Sequence, residues 1–147
     1  MIQLSRKSLM ALEAVLDVAL HARPDPVQAR EITARQGVPQ RYLEQIMQAL
    51  VRANILRGVR GPRGGYRLAR ERRRISIREI FEVIEGLDGE SSALMSRSEL
   101  SGAVITPFHD RLQNALGEAI GDTTIADLCL TAEGQRSGQQ KDSDFTI

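Results

Sequence analysis

Val59-Arg60-Gly61-Pro62-Arg63-Gly64-Gly65-Tyr66 sets two arginines among three glycines and a proline, directly after an apolar helical pattern. Glycine admits positive φ and proline fixes φ, so the stretch predicts a tight turn and not a helix. Such a turn lifts Arg60 and Arg63 out of the fold with no bulky neighbours to screen them. Exposed guanidinium groups on a glycine turn suit a phosphate backbone or a narrow DNA groove. Glycine-rich basic turns also join ordinary hairpins. The octapeptide alone leaves both readings open, and its flanks decide.

Upstream, apolar residues at Leu9, Leu12, Leu16 and Leu20, with Ala11, Val15, Val18 and Ala19 beside them, predict a helix over residues 4–21 capped by Ser5 or Ser8. Arg23-Pro24-Asp25-Pro26 ends it. A short helix follows, from Ala29 to Gln36, with Gly37 as its left-handed stop. A third helix, from Pro39 to Ala53, turns Leu43, Ile46, Met47, Leu50 and Val51 inward. Short helix, glycine turn and longer helix make a helix-turn-helix. Residues 55–59 and 66–69 then read as two short strands around the basic turn, a β-hairpin wing. The order predicts a mainly α fold with a small β-hairpin, a winged helix-turn-helix over residues 1–86.

Downstream, Ile77, Ile80, Phe81 and Ile84 predict a helix ending near Gly86. Residues 87–104 are small and polar and read as a loop. A helix from Thr106 to Ile120 and a last turn from Ile125 to Leu130 make up residues 105–131. Residues 132–147, rich in Gly, Ser and Gln, read as a mobile tail.

The 147-residue length fits one compact domain with an extension. Aromatics are 3% of the chain, so the core is aliphatic. No apolar run approaches the roughly 18 residues a membrane span needs, and the N-terminus has no signal-peptide core, which predicts a cytoplasmic protein with no membrane partner. The net charge of +1 hides an asymmetry. Residues 1–85 carry 16 Lys/Arg against 9 Asp/Glu, and residues 86–147 carry 4 against 10. Between Arg57 and Arg74 stand eight arginines and one acid, Glu71. That density points to nucleic-acid contact.

Cys129 is the chain's one cysteine, which excludes an intrachain disulfide and the usual multi-thiolate metal site. Its apolar surroundings favour a buried core residue over a redox-sensing thiol. His21 and His109 have no second ligand at metal spacing. No nucleophile–base pair, paired carboxylates or phosphate loop stands out, so no catalytic residue, metal ligand or cofactor is assigned and the chain does not read as an enzyme.

Leu16-Asp17-Val18-Ala19-Leu20, Gln36-Gly37-Val38, Tyr42-Leu43-Glu44-Gln45 and Val59-Arg60-Gly61-Pro62-Arg63-Gly64-Gly65-Tyr66-Arg67-Leu68 together resemble the IscR/NsrR/CymR-type (Rrf-two) bacterial transcription regulators over about residues 1–130. The resemblance implies a homodimeric winged-helix DNA-binding protein, often a repressor. It also implies that the long helix near 106–120 builds most of the dimer interface, through Phe108, Leu112, Leu116 and Ile120. Two-fold symmetry then implies an imperfect palindrome in double-stranded DNA. Some members hold an iron–sulfur cluster on three cysteines in the loop before that helix. Here Asp88 to Ile105 carries serines at 91, 92, 96, 98 and 101 and no cysteine, so a conventional cluster is not expected. Cysteine-free relatives suggest genes of cysteine, sulfur or iron–sulfur metabolism, and sometimes a metabolic enzyme as partner. Two alternatives stand beside this: an interaction module sensing such an enzyme, and a redox or iron sensor with unusual ligands.

Within that frame, Gln40, Arg41, Glu44 and Gln45 lie on the outward side of the third helix, whose start enters the major groove in helix-turn-helix docking. Gln suits adenine, Arg suits guanine, and Glu accepts from cytosine. Tyr42 and Leu43 read as core and backbone support. Arg60 is the candidate for the minor groove and Arg63 for phosphate, with Gly64 and Gly65 beside them. Ser5, Arg6 and Lys7 are phosphate candidates at the first helix N-terminus. Arg72, Arg73 and Arg74 suit phosphates or a solvated turn equally.

Overall fold

The computed structural model describes residues 2, 4–88 and 97–144. In chain order it has α1 (Arg6–His21), α2 (Ala29–Gln36), α3 (Gln40–Arg52), β1 (Leu56–Val59), β2 (Gly65–Leu68), a 3-10 turn (Arg72–Arg74), α4 (Ile77–Asp88), α5 (Thr106–Ile120) and α6 (Ile125–Asp144).

Ser5 caps α1 by accepting from the Ser8 amide at 3.1 Å, while the Ser8 hydroxyl oxygen accepts from the Ser5 amide at 2.9 Å. The inward face of α1 is the small-residue stripe Ala11, Ala14, Val15, Val18 and Ala19, all buried. Leu12, Leu16 and Leu20 pack at its flanks, and Leu9 is half exposed. The leucines are displaced because α1 packs against α3, α4 and α6, and short side chains let those backbones come close. Gly37 ends α2 in the left-handed region at φ 68°, its amide donating to the Thr33 carbonyl at 2.8 Å. Leu43, Ile46, Met47 and Leu50 of α3 join Ile80 and Ile84 of α4 in one core.

The wing is antiparallel, with Leu56 opposite Leu68, Arg57 opposite Arg67, Gly58 opposite Tyr66 and Val59 opposite Gly65. A third segment joins it. Val27 and Tyr66 exchange backbone hydrogen bonds, at 3.0 Å from the Val27 amide and 2.7 Å from the Tyr66 amide. This approach accounts for the paired glycines. A Cβ on Gly65 would lie 2.4 Å from the Val27 carbonyl oxygen, and one on Gly64 would lie 2.3 Å from that of Val59.

The C-terminal half departs from expectation in two places. Helical backbone begins at residue 99, not at 106, and runs through a π-helical turn (Ser101–Ile105) into α5. Ser98, one of the small polar residues that suggest a loop, is the cap: its hydroxyl accepts from the Ser101 amide at 3.1 Å. The rest of the expected loop, 89–96, lies outside the described residues. The segment expected as a tail is helical as far as Asp144. Thr124 and Asp127 cap α6 reciprocally, at 2.8 and 3.3 Å. Beyond Leu130 the helix meets the body through Glu133, 3.9 Å from Arg72, and Arg136, 3.5 Å from His21. Gln, Arg and Lys propagate a helix well once it has started. Residues 145–147 lie outside the described residues.

Gly65→Ala should cost about 1–3 kcal/mol in urea unfolding, because its Cβ has no room. Gly58→Ala, with nothing within 4 Å of the new Cβ, should be neutral or mildly stabilising. Equal costs for the two would remove the packing explanation of the glycine pair.

Candidate nucleic-acid interface

Leu43, Ile46, Met47 and Leu50 bury one side of α3 and thereby turn Gln40, Arg41, Glu44 and Gln45 outward, where all four are exposed. The Gln40 amide nitrogen donates to a Glu44 carboxylate oxygen at 3.1 Å, so these two present a linked donor–acceptor pair. Arg41 and Gln45 make no side-chain hydrogen bond with the described residues. Arg60 and Arg63 at the wing tip are likewise exposed and unpartnered among the described residues. Tyr66 links the two elements. Burial raises its hydroxyl pKa, and the charge of Glu44 raises it further, so the root of the wing lies within the field of α3.

Ser5, Arg6 and Lys7 stand at the start of α1 on one wall of a cleft of about 540 Å³, whose other wall is Val38, Pro39 and Tyr42. The α1 and α3 N-termini therefore open onto a common groove. The Ser5 oxygen is already engaged as the cap of α1. Tyr42 is not core support: it is 55% exposed, whereas Leu43 is buried. One residue is about 100° of helix rotation, so the step from Leu43 to Tyr42 leaves the buried face. Gly64 is needed for the hairpin's own backbone approach to Val59, and Gly65 for the approach of Val27, a role legible only with that segment in place.

The arginine-rich run divides. Only Arg60 and Arg63 reach solvent at the tip. Arg67 donates to the carbonyls of Ala22, at 3.2 Å, and Pro24. Arg70 donates to Asn54 O and to Glu79, at 2.7 Å. Arg72 donates to Ala19 O at 3.0 Å. Arg67 and Arg72 thus satisfy carbonyls at the end of α1 that the helix leaves unpaired. Arg73 holds Glu71 at 2.6 Å and depresses its pKa. The density of arginine in residues 57–74 is in good part structural.

Asp17 is a further residue the sequence alone hides. It is buried and takes both oxygens to Arg35, each at 2.7 Å, fixing α2 against α1. The bond raises the Arg35 pKa. The only hint was an acid among apolar residues.

A hairpin wing joined to a helix-turn-helix, an outward polar face on α3 and a basic α1 terminus on the same groove as the start of α3 are the features of a winged-helix DNA-binding transcription regulator. Residues 4–131 match the Rrf2 family model, described as iron-dependent transcriptional regulator. The chain belongs to the Rrf2 family. It is 39% identical to the HTH-type transcriptional regulator IscR of Vibrio parahaemolyticus, over 99% of this chain and 88% of that protein. Among solved structures, T. potens IscR matches with TM-score 0.73 and 31% identity, over 91% of this chain and 90% of that one. CymR, the global cysteine regulator of B. subtilis, matches with TM-score 0.68 and 25% identity, over 89% and 98%. These relatives are transcription regulators and not enzymes.

The family description includes iron, and the donor set here does not fit a cluster held by three thiolates. Residues 88–105 include no cysteine. The one thiol, Cys129, is 1% exposed on α6, and burial pushes its pKa up. Of the loop serines described, Ser98 is a helix cap and Ser101 is buried. His109 stands on α5, with Asp110 at 3.8 Å. Among the described residues no three or more His, Cys, Asp or Glu side chains gather as a metal site.

Cys129 should resist iodoacetamide at pH 7.5 in the folded protein and react at the rate of a free thiol in urea. Rapid alkylation of the native protein would mean that the thiol is accessible and able to sense oxidants.

Proposed function

We propose that the chain is a homodimeric, sequence-specific regulator in the cytoplasm that represses its targets by binding an imperfect palindrome, without a conventional iron–sulfur cluster. One observation carries this reading: Gln40, Arg41, Glu44 and Gln45 are presented outward on a helix anchored by its buried side, together with an exposed Arg60–Arg63 wing tip. In that geometry α3 occupies a major groove, Arg60 the adjacent minor groove, and Arg6, Lys7 and Arg63 the phosphates. Glu44 gains against the phosphate field only by accepting from a base, so it carries discrimination more than affinity.

The dimer reading rests on α5, which has no fully buried residue. Leu100, Val104, Ile105, Phe108 and Leu112 leave an apolar stripe in water, with Leu112 47% exposed. Leu116 and Ile120, expected at the interface as well, pack partly on the chain's own core and extend the stripe inward. Similarity to IscR and to a global cysteine regulator supports targets in iron–sulfur or cysteine metabolism.

The double variant Phe108→Asp/Leu112→Asp should sediment as a monomer at micromolar concentration and bind its operator at least 100-fold more weakly. An unchanged dimer would place the interface elsewhere. Operator affinity should fall with a log–log salt slope of about −5 or steeper, for six or more phosphates neutralised. Glu44→Ala should relax preference at one base position by about 10-fold or more, with a near-unchanged slope. A uniform loss across sequences would remove the base-reading role of Glu44.

A further inference from the structure

A second basic cleft, of about 350 Å³, lies away from the reading face, between the last turn of α1 and the root of the wing. Five arginines line it: Arg23, Arg57, Arg67, Arg70 and Arg72. The one acid on its wall, Glu71, is already held by Arg73. Ala19, Ala22 and Leu68 give it a small apolar floor. Ala22 is a full α1 length from Ser5, about 25 Å at 1.5 Å per residue, so the cleft and the α1–α3 groove sit at opposite ends of that helix.

The charges in this cleft do not cancel. Arg70 is neutralised by Glu79 at 2.7 Å, and Arg72 is faced by Glu133 at 3.9 Å. Arg67 is pinned by carbonyl oxygens, which orient it without removing its charge. The guanidinium groups of Arg23 and Arg57 form no hydrogen bond or ion pair with the described residues. Moreover, Arg57 stands directly opposite Arg67 in the hairpin register. Like charges facing across two strands destabilise the pair, and a bound anion would offset that.

We propose that this cleft binds a compact dianion: two acidic oxygens' worth of charge on a short carbon body, as in a small dicarboxylate or a phosphate monoester. Three uncompensated cations, Arg23, Arg57 and Arg67, exceed a dianion's charge by one. The planar guanidinium fork suits carboxylate and phosphate oxygens alike. The volume of about 350 Å³ is at the low end for small-molecule sites, which suits a compact anion. A bound dianion bridges the wing root to the end of α1 and so ties the wing to the helical body.

Calorimetry on the full chain, with inorganic phosphate and with succinate as probes and acetate at matched ionic strength as control, tests this. Saturable binding of at least one dianion with Kd below about 1 mM is expected, with none for acetate. Arg23→Ala and Arg57→Ala should each weaken it at least 10-fold with the circular dichroism spectrum unchanged, and Arg57→Lys should retain part of it. Preference for phosphate identifies a phosphate ester, and preference for succinate a dicarboxylate. Operator affinity of the ligand-free variants should stay within about 2-fold of wild type. No saturable binding of either dianion up to 10 mM, or binding unchanged in the double variant, would overturn the proposal. So would a loss of operator affinity and salt slope in Arg23→Ala/Arg57→Ala, which would make the cleft part of the DNA interface.

Discussion

The reciprocal backbone hydrogen bonds between Val27 and Tyr66 hold the rest of this arrangement in place. Val27 immediately precedes Gln28, the residue that opens α2, and Tyr66 belongs to the returning strand of the wing. Two short hydrogen bonds therefore fix the wing to the helix-turn-helix. A two-stranded hairpin alone is marginal in water, so the third segment matters for its order. The pairing works only because Gly65 has no side chain: the Val27 carbonyl oxygen occupies the place of its Cβ. A motif that looks like flexibility at the tip is a close-packing requirement at its base.

From that join the positions of the other parts follow. The bidentate Asp17–Arg35 pair sets α2 against α1, and Gly37 sets the turn into α3. The small-residue face of α1 brings α3, α4 and α6 close enough to share one aliphatic core, with a strand-like bridge beside α4 in which the Ile125 amide donates to the Ile75 carbonyl and the Ile77 amide to that of Thr123. Arg67 and Arg72 reach back to the open carbonyls at the end of α1. Reading surface and scaffold are thus joined through the backbone as well as through side chains. The apolar stripe at and before α5 is left outside this core, and it is the surface on which the proposed dimer rests.

Much of this was legible in the sequence, and the failures have physical causes. The helix-turn-helix and wing were readable because glycine and proline act locally: Pro39 fixes its own φ, and Gly37 and Gly61 permit the positive φ that their turns require. The outward placement of Gln40, Arg41, Glu44 and Gln45 follows from helical period alone. The helix of α1 was readable from its apolar spacing, but which side of it turns inward was not, because leucine, valine and alanine all fit an apolar face and only the crowded packing selects the small ones. The early start of the helix leading to α5 was hidden because serine suits both a loop and a cap, and only Ser98 with its partner distinguishes them. The long α6 was missed because a polar helix has no apolar stripe to betray it. In the 57–74 run, composition counts arginines but not the carbonyls they reach, so structurally engaged and solvent-exposed guanidinium groups look alike.

Hydroxyl-radical and dimethyl sulfate footprinting, on the tightest-binding DNA selected from a random pool, tests the central claim most directly: α3 and the wing form one rigid reader. Each half-site should show major-groove protection with an adjacent minor-groove protection at a fixed offset. Arg60→Ala should lose only the minor-groove part. Protection confined to one groove, or a minor-groove footprint that survives Arg60→Ala, would contradict it.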